Sequence, residues 1–191
     1  MKEKWIAIIG SPRKGKNTDL LVDYIIEALK TVSIDVEKFI LDSRNINTCS
    51  GCEYCIENGI CVIDDRVSMI IEKMKTANGF IFASPSYNYN MTAQMKALID
   101  RTFCLNDYKG GWSSRLPSGK KAILVGVCKG RNEEFMGNTI NGMAMSIEEL
   151  GVNTVDVIKY YNTKHNPVIE NGEIREEILR KIVSNKKIKN S

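Results

Sequence analysis

The chain has 191 residues, 43% hydrophobic and 26% charged, an ordinary globular composition that excludes the collagenous, disordered and low-complexity classes. No apolar run approaches the ~18 residues of a membrane span and an apolar strand begins after only four residues, so no membrane association is expected and a cytoplasmic location is. The formal charge of +4 gathers in the last thirteen residues, where Arg180, Lys181, Lys186, Lys187 and Lys189 stand without an acid; this reads as a solvated, frayed basic end, with no nucleic-acid partner expected.

Short apolar runs alternate with amphipathic stretches along the chain. Trp5-Ile6-Ala7-Ile8-Ile9-Gly10 is too continuously apolar for a half-exposed strand and predicts a buried parallel one. Leu20, Leu21, Tyr24, Ile25, Ala28 and Leu29 then recur at helical spacing, which predicts a helix over 18–31 capped by Asn17 or Thr18. A strand at 34–40, a helix at 65–77 and a strand at 79–84 follow, then a helix at 91–104, a strand at 121–127, a helix at 134–150, a strand at 153–159 and a helix at 173–184. Five apolar strands separated by helices predict an α/β fold with a doubly wound parallel sheet. The flavodoxin-like order 2-1-3-4-5 fits, with residues 1–191 as a single domain and a ligand crevice at the carboxyl ends of strands one and three.

The one histidine, His165, beside Asn166 and Pro167, reads as a surface residue, and a His-rich metal site cannot be built. The loop Gly10-Ser11-Pro12-Arg13-Lys14-Gly15-Lys16-Asn17-Thr18 joins a buried strand to a helix N-terminus, where backbone N–H groups and the helix dipole favour an anion. It nearly matches the nucleotide-hydrolase pattern G-x-x-x-x-G-K-[ST]. Asn17, however, stands where Ser or Thr would hold magnesium, and strand three ends in Ala83-Ser84 without a metal-binding aspartate. After strand three, Ser84-Pro85-Ser86-Tyr87-Asn88-Tyr89-Asn90-Met91-Thr92 offers aromatic faces and backbone amides beside the same crevice, the surroundings a planar heteroaromatic ring needs.

Together these two loops resemble the NADPH-dependent FMN reductase family of flavodoxin-like proteins. The first loop is similar to its S-x-R-x-x-x-N-T motif. The stretch Ser84-Pro85-x-Tyr87…Met91-Thr92-Ala93…Lys96…Ile99-Asp100-Arg101 is similar to its P-x-Y…M-[ST]-A-x-x-K-x-x-I-D-R segment. The resemblance covers about residues 4–160. It implies FMN, with Ser11, Arg13, Lys16, Asn17 and Thr18 around the phosphate and Pro85, Ser86, Tyr87 and Asn88 along the isoalloxazine. It also implies a third contribution from the turn after strand four, here Gly126-Val127-Cys128-Lys129-Gly130-Arg131, in which Cys128 and Gly130 take part. That turn is less glycine-rich than the family's. No catalytic side chain is implied, because the cofactor carries the chemistry.

Cys49-x2-Cys52-x2-Cys55-x5-Cys61 places four thiols on a long connection after strand two. The residues alone leave three readings open: an iron–sulfur cluster, a four-thiolate zinc site, and a bare thiol loop. The spacing resembles the iron-sulfur flavoprotein branch of the same family, which implies a [4Fe–4S] cluster beside FMN and a homodimer or tetramer. NAD(P)H is then a candidate electron donor to an FMN oxidoreductase. The rival reading is an electron carrier that partners a ferredoxin-like protein and turns over no metabolite. Cys104 and Cys128 read as buried small hydrophobes, and the connection at 104–120 with Trp112 as a surface for a neighbouring chain.

Overall fold

The computed structural model describes residues 2–189. In chain order the elements are β1 (Glu3–Ile9), α1 (Asn17–Thr31), β2 (Ile34–Ile40), α2 (Tyr54–Asn58), α3 (Arg66–Thr76), β3 (Gly79–Pro85), α4 (Ala93–Arg101), β4 (Asn106–Asp107), β5 (Ser113–Ser114), β6 (Lys121–Val127), α5 (Thr139–Glu148), β7 (Asn153–Tyr160), α6 (Ile174–Ser184) and α7 (Lys186–Lys189). The five long strands form one sheet in the order β2-β1-β3-β6-β7, with every neighbouring pair parallel. Numbered among themselves they run 2-1-3-4-5, the expected flavodoxin-like arrangement. Consecutive connections leave β1 and β3 towards opposite sides, and their divergence opens a crevice at the carboxyl ends of these strands.

The central strands are apolar throughout because both faces are covered. Alternate residues of β3 point to opposite sides, so Phe80 and Phe82 pack with Met95, Leu98, Met143 and Ile147 from α4 and α5. Ile81 and Ala83 pack with Leu21, Ile25 and Ile178 from α1 and α6.

Several sequence expectations need correction. The helix expected at 134–150 is interrupted: residues Glu133–Met136 form a 3-10 turn, and α5 begins only after Gly137. Gly137 has φ +52°, and a Cβ there would stand 2.2 Å from the Tyr89 carbonyl oxygen. The backbone must pass close to the β3 loop, and a continuous helix could not. The helix expected to reach residue 104 ends at Arg101 and tightens into a 3-10 turn over Thr102–Leu105. The connection at 104–120 carries the small hairpin β4–β5. The basic end is not frayed within the described residues, since α6 packs on the sheet and Ile188 is buried. His165 is exposed, as expected.

Candidate functional site

The crevice begins where β1 feeds α1. Lys16, not Asn17 or Thr18, is the N-cap, and no side chain caps the helix. The first-turn N–H groups, which have no intrahelical partner, therefore face the loop and suit an anion. Asp19, the acid of that turn, would oppose one, but its charge is engaged. Oδ2 accepts the Gly15 N–H at 2.7 Å and Oδ1 meets Lys38 Nζ at 2.9 Å. Lys38 also holds Asp23 at 2.6 Å. Burial alone would lower its proton affinity, but the two carboxylates outweigh that and raise it. Asn17 accepts the Val168 N–H through Oδ1 at 2.9 Å, which fixes its side-chain amide.

The second wall is the loop leaving β3, and Thr92 binds it to the first. Buried Thr92 Oγ1 donates to the Gly10 carbonyl at 2.8 Å and accepts the Met95 N–H as the cap of α4; the Thr92 N–H donates to Ser84 Oγ at 3.0 Å. Tyr87 and Asn90 exchange backbone hydrogen bonds of 2.8 and 3.2 Å around Asn88 and Tyr89, both with positive φ. This is a two-residue turn of the primed kind, and asparagine at its first centre tolerates that backbone. Ser86 is anchored at both ends, its N–H to Val127 O at 2.7 Å and its hydroxyl to Phe135 O at 3.0 Å.

These loops enclose a cleft of about 450 Å³. Of the residues expected there, Arg13, Asn17, Thr18, Pro85, Ser86, Tyr87, Asn88 and Cys128 line it; Ser11, Lys16 and Gly130 do not. Ser11 is buried and accepts the Arg13 N–H, so it shapes the turn. Lys16 points to solvent. Gly130 lies against Phe135, where a Cβ would come within 2.1 Å of the ring. Val127 and Lys129 lie in the turn expected to contribute but were not singled out in it, and sequence reasoning missed Thr163. The Thr163 N–H donates to Cys128 O at 3.2 Å, so the loop after the fifth long strand reaches the cleft, and reading beyond strand four would have flagged it. Cys128 is buried, and burial pushes its thiol up. The cleft offers N–H donors and Arg13 at one end and Pro85, Tyr87 and Val127 at the other. That combination suits a phosphate joined to a flat ring.

A second pocket, of about 220 Å³, is lined by Cys49, Cys52, Cys55 and Cys61, and also by Arg101, Phe103 and Cys104. It shares no lining residue with the first. All six cysteines are free thiols. Among the described residues no three His, Cys, Asp or Glu side chains are gathered tightly enough to hold one metal ion; the four thiols line one pocket. Positive φ at Gly51, Glu53 and Gly59 produces the wrapping. Burial pushes the Cys55 thiol up, helped by the other three, and pushes Cys104 up to about 11. Cys104 thus lines this pocket as well as being the buried thiol that was expected.

The pocket is held to α4 by one buried ion pair. Arg101 meets both oxygens of Asp65, at 2.7 and 2.6 Å, and donates to the carbonyls of Asn47 and Ile63 and to Ser68 Oγ. Asp65 also caps α3 through the Val67 and Ser68 N–H groups and accepts the Asn47 N–H. One carboxylate and one guanidinium therefore close the two arms of the cysteine loop. On the outer side, Lys109 of the hairpin turn pairs with Glu57 of α2, Phe103 stacks on Tyr108 at 4.3 Å, and Tyr108 meets Trp112 in a T-shaped contact at 4.5 Å. A larger open hollow of about 910 Å³ lies at the amino ends of the strands. Its inner lysines are engaged, Lys120 by the Lys75 and Ala77 carbonyls and Lys121 by Glu3 and the Ile188 carbonyl.

No helix among the described residues is long and apolar enough to cross a membrane. An iron-sulfur flavoprotein of Methanocaldococcus jannaschii is 43% identical over 131 residues, 69% of this chain and 66% of that protein. Another, from Methanosarcina thermophila, is 37% identical over 102 residues, 53% of each. The chain thus spans between about half and two thirds of the length of these curated relatives. Among solved structures, an FMN-dependent NADH-azoreductase from Bacillus anthracis superposes with a TM-score of 0.69, covering 98% of this chain and 100% of that one at 14% identity, a likeness of fold. The family model described as NADPH-dependent FMN reductase matches residues 4–165, and it is to this family that the chain belongs.

Proposed function

We propose that the protein is a cytoplasmic FMN-dependent oxidoreductase that takes electrons from NAD(P)H, with residues 1–191 acting as one flavin-binding domain. The observation that carries this reading is the convergence of four strand-end loops on one cleft with an uncapped helix start at its polar end. Arg13 and the first turn of α1 would hold the FMN phosphate, and Pro85, Tyr87 and Asn88 would flank the ring. When bound, FMN supplies a carrier that takes two electrons and releases them singly. The chain's part is to bind, orient and shield: Thr92 and Gly10 keep the two loops in register, and Ser86 fixes the turn that bears Tyr87.

The four cysteines are assigned to a [4Fe–4S] cluster. A tetrahedral zinc draws its sulfurs to roughly 3.8 Å of one another, given Zn–S bonds of about 2.3 Å. A cluster is several atoms across and takes four thiolates around a larger space, and the four thiols lining one pocket and the iron-sulfur flavoprotein relatives both support it. The pocket and the cleft share no lining residue, and Phe103 and Trp112 are exposed beside the pocket. Both features support a homodimer or tetramer in which a neighbouring chain covers this side.

Two measurements test the reading. FMN must be released on denaturing the reconstituted protein and must bleach with NADH or NADPH in stopped flow; no bleaching, with rapid reduction by a ferredoxin-like protein, would instead favour the electron carrier. Iron and acid-labile sulfide near four of each per chain are expected after anaerobic reconstitution, with loss in Cys52→Ala. Stoichiometric zinc, or no metal, leaves a plain FMN reductase.

A further inference from the structure

Arg101 is the most fully buried cation beside the thiol pocket, its side chain having no exposure to solvent. Four of its contacts are structural: Nη1 is satisfied by Asp65 and the Asn47 carbonyl, Nη2 by the Ile63 carbonyl and Ser68 Oγ. Nε is different. It is buried and has no hydrogen-bond acceptor among the described residues. An unpaired buried N–H is costly, and such a group in a native fold calls for a partner that completes it. The same side chain lines the space shared by Cys49, Cys52, Cys55 and Cys61.

Resting on the cluster assignment above, we propose that Arg101 Nε–H is a built-in donor to a sulfur of the group held by these four cysteines, and that Arg101 is the positioning residue that sets its reduction potential. An assembly of four thiolates is anionic, and the chemistry supplies what Nε lacks, a negatively polarised acceptor. A hydrogen bond to sulfur and a nearby positive charge stabilise the more reduced, more negative state and raise the potential. Asp65 neutralises part of that charge. Its carboxylate is itself occupied by backbone N–H groups of Asn47, Val67 and Ser68, so the guanidinium keeps a fixed orientation.

The test uses the full chain after anaerobic reconstitution with iron and sulfide. Protein carrying 15N-arginine, reduced and examined by pulsed EPR, should show an arginine nitrogen coupling and an exchangeable proton on the cluster signal; Arg101 is the arginine that lines this pocket. Arg101→Lys keeps the charge and deletes Nε. Its midpoint potential should shift to more negative values and the nitrogen coupling should vanish, while FMN content stays at the wild-type level and reports a folded chain. Ser68→Ala loosens the same clamp but keeps Nε, and should leave the coupling in place and the potential close to wild type. Absence of the coupling in wild type overturns the proposal whether or not the variants fold. So does an equal shift in Ser68→Ala, which would assign the effect to a slack loop. If wild type takes up no iron and sulfide, the cluster assignment itself falls, and this proposal with it. Iron uptake without arginine coupling removes this proposal alone.

Discussion

The Thr92 hydroxyl donates to the carbonyl oxygen of Gly10 across 2.8 Å, and a Cβ on Gly10 would lie 2.7 Å from that same hydroxyl. The loops leaving β1 and β3 are thus joined at a point with no room for a side chain. Thr92→Val keeps the volume but removes the donor to Gly10 and the cap of α4. The cost expected is about 1–3 kcal/mol for the orphaned carbonyl together with the lost cap. Urea unfolding should show the loss, and Thr92→Ser should recover most of it. If Thr92→Val matches wild type in both stability and FMN retention, the stitch is incidental.

Arg13 stands at the polar end of the cleft, and Lys16, three residues on, does not line it. Arg13→Ala should weaken FMN binding by about 1.5–3 kcal/mol, the range of a charge-assisted hydrogen bond, or roughly ten- to a hundredfold in Kd. Lys16→Ala should leave Kd within a few fold of wild type. Fluorescence titration of the apoprotein with FMN compares the two directly. Equal effects would mean that the loop acts only as a diffuse basic patch.

The strand order and the first loop were legible because their signals are local. Trp5–Ile9 is a buried run in sequence and in space, and its glycine sits where the chain must approach Thr92. The features that were not legible depend on residues far apart along the chain. Lys16 is the cap, and the Asn17 side chain is bound instead to the Val168 backbone. The break before α5 is set by the Tyr89 carbonyl, which no periodicity at 134–150 could signal. Thr163 enters the cleft through the Cys128 carbonyl. Arg101 was visible as part of a motif, but its role depends on Asp65, which lies 36 positions away.

Asp65 gives a pH signature to the thiol pocket. Burial alone would raise its pKa, yet the Arg101 guanidinium and the backbone N–H groups hold it below the usual carboxylate range. A carboxylate whose folded pKa lies under its unfolded value of about 3.9 contributes stability that is fully present above that value and is lost as pH falls through the folded one. Acid should therefore open the cysteine loop below about pH 4, read as loss of amide hydrogen-exchange protection around Asn47, Asp65 and Arg101. Asp65→Asn should remove this acid step. It should also cost about 3–5 kcal/mol at neutral pH, because Arg101 is left buried without its counter-charge. An Asp65→Asn protein as stable as wild type would show that the pair carries little.

The hairpin β4–β5 turns Trp112 outward, 58% exposed, with its indole N–H on Glu149 at 2.6 Å and its edge on the Tyr108 ring. Phe103, half-exposed, continues the same surface to the rim of the thiol pocket. Large aromatic residues on a supported, rigid platform are the kind that anchor interfaces. In the proposed oligomer this platform meets a neighbouring chain, with a two-fold pair as the default closed assembly. Light scattering at micromolar concentration with FMN bound should then give two or four times the 21.5 kDa chain mass. Trp112→Lys should move the equilibrium towards monomer by about 2 kcal/mol or more, roughly thirtyfold in the dissociation constant. The substituted site lies outside the cleft proposed for FMN, so FMN binding to the separated chain reports whether the flavin site needs its neighbour. A wild-type monomer with FMN bound would refute the assembly, and an unchanged oligomer in Trp112→Lys would move the interface to another face.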